Sequence, residues 1–73
     1  VYPRVIVEAA LRHKAAAMIL AHNHPGGSLQ PSAADLDATR KICSACDAIS
    51  IRVVDHIIVA GEQYFSFADR GLI

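Results

Sequence analysis

The stretch AAAMILAHNHPGG at residues 15–27 decides the fold of this 73-residue chain. A continuous apolar run occupies residues 16–21, and Pro-Gly-Gly at residues 25–27 ends it. An apolar run of this length between turn signals is typical of a β-strand that is buried on both faces. We therefore predict a strand over residues 16–21, with His22 and His24 at its carboxyl end.

A helical pattern precedes this strand and another follows it. Pro3 is favoured in the first turn of a helix, and residues 5–14 combine an apolar face with a basic last turn, as helices prefer. Further along, Ser32 is a good N-cap, and Asp35 completes a variant of the capping box. The second helix is predicted to run to residue 48, with an inner face made of Leu36, Thr39, Ile42, Cys43 and Cys46.

The remaining residues predict β-structure. Residues 49–54 form a second predicted strand, and residues 57–60 either continue it or form the next segment. A hairpin turn at residues 61–63 then leads to a third strand at residues 64–67. The predicted order is α-β-α-β-β, which indicates an α/β fold with the first strand in the centre of the sheet.

Composition and charge limit the function classes. Seven Lys and Arg balance seven Asp and Glu, so the formal net charge is zero, whereas nucleic-acid binding usually needs a basic excess. We expect no nucleic-acid binding by these residues and no membrane partner, since no apolar run approaches the roughly 20 residues that span a bilayer. No basic segment followed by an apolar stretch indicates a signal peptide within these 73 residues. Cys43 and Cys46 are too few for a disulfide framework, which favours a reducing, cytoplasmic compartment. In mid-helix, we interpret them as small buried apolar residues.

Two histidines and an aspartate form a candidate metal site. Residues i and i+2 of a strand point to the same face, so His22 and His24 project side by side from the strand end, where α/β sheets place their sites. Asp35 lies in the first turn of the next helix, which the intervening loop can fold back over the histidines. Two imidazoles and a carboxylate, with a fourth position open for water, are typical of catalytic zinc. Ser32 is placed to donate a hydrogen bond to a developing oxyanion.

Simpler interpretations of the same residues stay open at this point. A histidine on a strand is usually a hydrogen-bonded polar residue, Asp35 can be only the acid of the capping box, and Ser32 can be only its N-cap. His56 either orients a ligand imidazole through a hydrogen bond or is a buried structural histidine paired with Asp55.

The spacing of these residues resembles a known motif. His22-x-His24-Pro25, followed by Ser32 and Asp35, matches the order H-x-H-P…S-x-x-D of the JAMM (MPN+) metalloproteases. The strings YPR, AAAMILAHNHPGG, PSAAD, IRVVDHIIV and YFSFADRGL also occur in order, so the chain resembles the JAMM domain of the RadC family over essentially its whole length. The resemblance implies a three-layer α/β fold similar to cytidine deaminases. It also implies a zinc ion on His22, His24 and Asp35, and hydrolysis of a peptide or isopeptide substrate.

The chain departs from the family pattern in two respects. JAMM enzymes take a general-base glutamate from a strand well upstream of the histidines, and here only Glu8 on the first helix and Glu62 in a turn are present. We therefore expect residues 1–73 to be a partial domain without its N-terminal strands, with the base supplied upstream. In addition, Val5 stands where the family usually has glutamate, and Gly26 where it usually has serine.

Three hypotheses about function follow. The first is a zinc-dependent hydrolase of the RadC/JAMM type, in which metal-activated water attacks an amide or isopeptide bond. The second, motivated by the missing glutamate, is a non-catalytic module that binds a metal or a partner protein. The third is a DNA-repair accessory protein, which rests on the traditional label of the family and is opposed by the neutral charge. Because an incomplete sheet exposes an apolar face, we also expect a homo-oligomer or poor stability.

Overall fold

The computed structural model describes residues 2–73, which form a two-helix, three-strand α/β domain. The elements are α1 (Pro3–Arg12), β1 (Ala17–Asn23), α2 (Ala33–Ala48), β2 (Arg52–Ala60) and β3 (Gln63–Ser66). β1 pairs with β2 in parallel and β2 with β3 antiparallel, in the order β1-β2-β3. The predicted α-β-α-β-β order is confirmed. Within residues 2–73, neither helix has the length and hydropathy needed to span a membrane.

The prediction that the first strand is central and buried on both faces is wrong for the described part of the chain. β2 is the middle strand, and β1 pairs along one side only. Leu20 of β1 is buried against the helices, whereas the neighbouring Ile19 is 63% exposed on the other face of the sheet. β1 also extends past its predicted end, because its pairing with β2 continues to the contact of Asn23 with Val59.

Local backbone chemistry sets the ends of the first helix. Pro3 lies in the first turn of α1, so this helix begins earlier than the apolar pattern predicted. The helix also ends earlier, at Arg12, with His13 as its C-cap. Lys14 adopts a left-handed conformation, with φ of 53°, that turns the chain towards β1.

The second helix begins as predicted. The Ser32 hydroxyl accepts a hydrogen bond from the Asp35 backbone N–H, and the Asp35 carboxylate accepts one from the Ser32 backbone N–H. This reciprocal pair satisfies two backbone donors that the first turn leaves free, which makes residue 32 a defined starting point. The helix runs to Ala48, as the sequence predicted.

The predicted boundaries of the last two strands shift slightly. After α2, Ser50 adopts a φ of 60°, so β2 starts only at Arg52 and then continues without a break to Ala60. Gly61 and Glu62 form the turn, because Ala60 already pairs with Gln63. Gly61 has a φ of 61°, a conformation that glycine adopts without steric cost at the start of such tight turns.

The core lies between the helices and one face of the sheet. Its larger cluster combines buried residues of both helices with residues of β1, β2 and the α2–β2 connection: Ala10, Leu20, Ile42, Cys46, Ile51 and Val53. Burial raises the pKa of the Cys46 thiol and, with the help of the Cys46 charge, that of the half-buried Cys43. Raised thiol pKa values and core positions agree with the interpretation of both cysteines as apolar packing residues.

A register shift between β1 and β2 decides which side chains of β2 face the helices. Met18 pairs with Val53, but the next residue, Ile19, pairs with Asp55, so Val54 is an extra residue in β2. As a result, Val53 and His56 are both buried. Strict alternation would send these two side chains to opposite faces of the sheet. The shift therefore places His56 on the side of the sheet that α2 covers.

Asp55, beside this shift, ties β2 to the end of β3 and to the segment that follows it. One carboxylate oxygen accepts from the Ser66 hydroxyl, and the other accepts from the backbone N–H groups of His56 and Ala68. Burial alone would raise the pKa of Asp55, but these hydrogen bonds and the nearby His56 hold it below its usual value. An ionised Asp55 is therefore the form that stabilises the fold.

Replacing Asp55 by asparagine should make the free energy of unfolding less dependent on pH in the acid range. Because the folded-state pKa is lowered, the contribution of Asp55 is present above its unfolded-state pKa of about 3.9 and is lost as pH falls through the folded-state value. We expect Asp55→Asn to lower the free energy of unfolding at neutral pH by roughly 1–3 kcal/mol. The slope of stability against pH below about pH 4 should also become flatter.

Urea denaturation across this pH range measures both effects. Glu62→Gln, in the exposed β2–β3 turn, is the matched control and should change neither. An Asp55→Asn protein with the native acid profile would contradict the assignment.

Candidate metal centre

The end of β1 and the start of α2 meet at the carboxyl end of the parallel strands. His22 lies in β1, and the backbone N–H of His24 donates to the carbonyl of Val59, which continues the pairing one residue beyond the strand. Asp35 lies in the first turn of α2. The structure thus brings together the three residues singled out in the sequence, with one potential ligand atom from each lying within 4.8 Å of the others.

The spacing of these atoms suits a small tetrahedral ion. His22 Nε2 lies 2.9 Å from His24 Nε2, His24 Nε2 lies 3.2 Å from Asp35 Oδ2, and His22 Nε2 lies 3.7 Å from Asp35 Oδ1. Ligands at typical zinc–nitrogen and zinc–oxygen lengths of about 2.0–2.1 Å in tetrahedral geometry lie about 3.3 Å from one another. The side chains are half-buried, so the site combines a partly dry environment with access from solvent.

The outer nitrogen of each histidine already has a partner. His24 Nδ1 lies 2.8 Å from the backbone carbonyl of Ser28. A carbonyl only accepts, so His24 carries a proton on Nδ1, and in the neutral ring the Nε2 lone pair faces His22. His22 Nδ1 lies 2.8 Å from Nε2 of His56. Outer partners of this kind fix the ring orientation of metal-binding histidines in proteins.

The electrostatics of the cluster favour a cation. Burial lowers the pKa of His22, and the nearby His24 adds to this effect while Asp35 opposes it. Burial alone would raise the pKa of Asp35, but the Ser32 backbone and side-chain hydrogen bonds and the two histidines hold it below its usual value. A neutral imidazole beside an ionised carboxylate is the donor form that metal binding requires.

Asp35 and Ser32 form the helix cap, and the same Asp35 carboxylate faces the histidines. Oδ2 of Asp35 accepts from the Ser32 backbone N–H at 2.9 Å, while Oδ1 faces His22. Ser32 is an N-cap whose oxygen accepts from the Asp35 N–H at 3.0 Å, and its side chain is exposed beside the carboxylate. Capping the helix therefore positions the Asp35 carboxylate, and the same cap engages the Ser32 oxygen.

Neither glutamate takes part in the cluster within residues 2–73. Glu8 accepts from Arg4 at 3.0 Å on the exposed side of α1. Glu62 is exposed in the turn after β2, and no hydrogen bond or ion pair joins it to the three site residues in the described part of the chain.

His56 and Thr39 belong to the site in a way that sequence reasoning resolved only in part. The alternative of a His56 side chain paired with Asp55 is wrong, because Asp55 accepts a hydrogen bond from the backbone N–H of His56 and not from its imidazole. Instead, the imidazole lies between His22 and the Thr39 hydroxyl, with His56 Nδ1 2.7 Å from Thr39 Oγ1. Thr39 was predicted only as an inner-face residue of the helix. Its position one helical turn after Asp35 was the signal that it approaches the same site.

This combination of fold and site defines a class. An α/β domain in which two histidines at a strand end meet an aspartate at the start of the next helix has the arrangement expected of a JAMM or JAB domain. The model of the RadC-like JAB domain family matches residues 1–72. The chain belongs to this family.

Curated relatives agree with this assignment. Over 73 residues the chain is 58% identical to UPF0758 protein Bpet3149 of Bordetella petrii, covering all of the chain and 32% of the relative. It is 56% identical over 73 residues to UPF0758 protein PSHAa2643 of Pseudoalteromonas translucida, covering 33% of that protein. It is 51% identical over 73 residues to UPF0758 protein YeeS of Escherichia coli, covering 49% of that protein. The chain thus spans about a third to about a half of the length of these relatives.

The contribution of the Ser32 cap to stability can be measured by two substitutions. Ser32→Ala removes the acceptor for the Asp35 N–H and should lower the free energy of unfolding by about 1 kcal/mol. Ser32→Thr keeps the oxygen and should stay within a few tenths of a kcal/mol of the native protein. Urea titrations monitored by circular dichroism measure both, and equal stability of the alanine and native proteins would contradict the role of this cap.

Proposed function

We propose that this chain carries the metal site of a zinc-dependent, metallopeptidase-like hydrolase of the RadC/JAMM type, acting on an amide or isopeptide bond. One observation carries the proposal. His22 Nε2, His24 Nε2 and the Asp35 carboxylate converge on one point, while both outer histidine nitrogens are held by other groups. Membership of the RadC-like JAB family supports it.

Each residue has a defined task in this proposal. His22 and His24 provide neutral nitrogen donors, and Asp35 provides the negative charge that balances part of a divalent cation. A zinc ion held by these three residues would supply Lewis acidity and would lower the pKa of water towards about 7. The Ser32 hydroxyl, anchored through its oxygen by the Asp35 N–H, donates a hydrogen bond to the oxygen of the scissile carbonyl as charge develops there.

The general base is assigned to a glutamate outside these 73 residues. A base must approach within about 2.6–3.2 Å of the proton it removes. Glu8 is held by Arg4 on the exposed side of α1, and Glu62 is exposed in a turn. The same observation favours a second candidate function, a module that binds metal or a partner without hydrolysis.

Asp35→Asn should weaken zinc binding, and Asp37→Asn should not. The first variant removes the charge of the site but keeps an oxygen for the helix cap. The second removes an exposed charge on the same helix that pairs with Lys41. Loss of an outer partner of a metal ligand costs about 10–100-fold in affinity, so we expect a loss of at least about 100-fold for the ligand itself.

Competition with a chromophoric zinc chelator measures this affinity, and circular dichroism verifies the fold of each variant. Equal zinc affinity of the Asp35→Asn and Asp37→Asn proteins would contradict the metal site.

Hydrolysis is tested with fluorogenic peptides that contain either a main-chain peptide bond or a lysine Nε-linked isopeptide bond. The chain and the longer Bordetella petrii relative are assayed with zinc. We expect zinc-dependent cleavage by the relative and no cleavage by the chain alone, which lacks the assigned base. Stoichiometric zinc without cleavage by either protein would select the non-catalytic module.

A further inference from the structure

We propose that Thr39 and His56 form a hydrogen-bonded relay that fixes the neutral His22 imidazole with its proton on Nδ1. The relay leaves the Nε2 lone pair of His22 free to face a metal. This inference rests on the metal site proposed above, and it assigns to Thr39 and His56 the role of positioning residues that act through His22.

The hydrogen bond that Thr39 makes within α2 determines which atoms of the relay donate and which accept. The Thr39 hydroxyl donates to the backbone carbonyl of Asp35 at 2.8 Å. A hydroxyl has one proton and a carbonyl has none to give, so this bond commits the Thr39 proton. Toward His56 Nδ1, 2.7 Å away, Thr39 Oγ1 can therefore only accept.

The proton position on His56 determines the proton position on His22. His56 Nδ1 must carry the proton that Thr39 accepts, and a neutral imidazole then presents a bare lone pair at Nε2. This lone pair lies 2.8 Å from His22 Nδ1, which must therefore be the donor. The Nε2 atom of His22 is left unprotonated, and it is this atom that faces His24 and Asp35.

The packing around His56 keeps the relay in one arrangement. The residue is 1% exposed, and its ring stacks on Phe67 with centroids 4.4 Å apart and an angle of 13° between the planes. Phe67 is fully buried, and its backbone N–H donates to the His56 carbonyl at 3.0 Å. Thr39 is 2% exposed, so neither relay residue can exchange its protein partner for bulk water.

The Nε2 atoms of His22 and His24 face each other and need a positive charge between them. The Ser28 carbonyl holds the proton of a neutral His24 on Nδ1, and the relay does the same for a neutral His22, so that both Nε2 atoms are bare. Two unprotonated nitrogens 2.9 Å apart repel each other unless a cation or a proton lies between them. Through Thr39 and His56, the relay therefore makes His22 present a lone pair rather than an N–H group to the site.

The test compares Thr39→Val with Thr39→Ser in the otherwise native chain. Valine has the shape of threonine but no hydroxyl, so His56 loses the acceptor that fixes its proton. Serine keeps the hydroxyl and loses only a methyl group. His56→Phe is a second variant, which keeps a ring against Phe67 and removes the acceptor for His22 Nδ1.

Two measurements are made on each protein. Long-range proton–nitrogen NMR spectra of the metal-free protein, at a mildly alkaline pH, report which nitrogen of His22 carries the proton. Chelator competition reports the zinc affinity. We expect the native and Thr39→Ser proteins to hold the Nδ1-protonated tautomer. Thr39→Val and His56→Phe should show a mixture of tautomers and bind zinc about 10–100-fold more weakly.

Each alternative outcome has a distinct meaning. An unchanged His22 tautomer in folded Thr39→Val and His56→Phe proteins would overturn the relay. So would an equal loss of zinc affinity in the serine and valine variants, because that would indicate a packing role for Thr39. If the native chain binds no zinc, the metal site is wrong, while the metal-free spectra still decide whether Thr39 and His56 set the tautomer.

Discussion

The parallel pairing of β1 with β2, including its register shift, is the constraint on which the site depends. It places His22 and His24 at the same end of the sheet as the start of α2, and the extra residue Val54 turns His56 towards the helices. Leu20 then lies opposite His56, so that His22, the next residue of β1 on that face, reaches the His56 ring. Without the shift, His56 would lie on the open face of the sheet and His22 would have no buried partner there.

The helix cap and the His22–His24–Asp35 cluster share one carboxylate in the first turn of α2. The Asp35 carboxylate completes the capping box and faces both histidines, and its backbone carbonyl accepts the Thr39 proton that sets the direction of the relay. A helix start defined by a reciprocal hydrogen-bonded pair is a rigid support, because two side chains and two backbone groups restrain one another. Rigid support matters for a metal site, where small displacements of a ligand change affinity.

Sequence reasoning succeeded where the signal is local and fell short where it depends on distant pairing. The cap at Ser32 and the end of α2 follow from neighbouring residues, and the approach of Asp35 to His22 and His24 follows from their spacing. The edge position of β1 in the described sheet could not be obtained in this way. A continuous apolar run looks the same in a central strand and in an edge strand. The partners of His56 depended on the extra residue in β2, which only the paired strands reveal.

The choice of a neutral partner for His22 has an electrostatic consequence. In many zinc sites the outer nitrogen of a ligand histidine donates to a carboxylate, which makes the imidazole a stronger donor and adds negative charge. In the metal-free protein, a second carboxylate buried at the position of His56 would lack a compensating cation, and burying it would be costly. The His56–Thr39 pair contacts His22 without adding negative charge, so that Asp35 supplies the carboxylate among the three candidate ligands. A divalent ion bound there would keep a net positive charge, which is the property that favours ionisation of water and polarisation of a carbonyl.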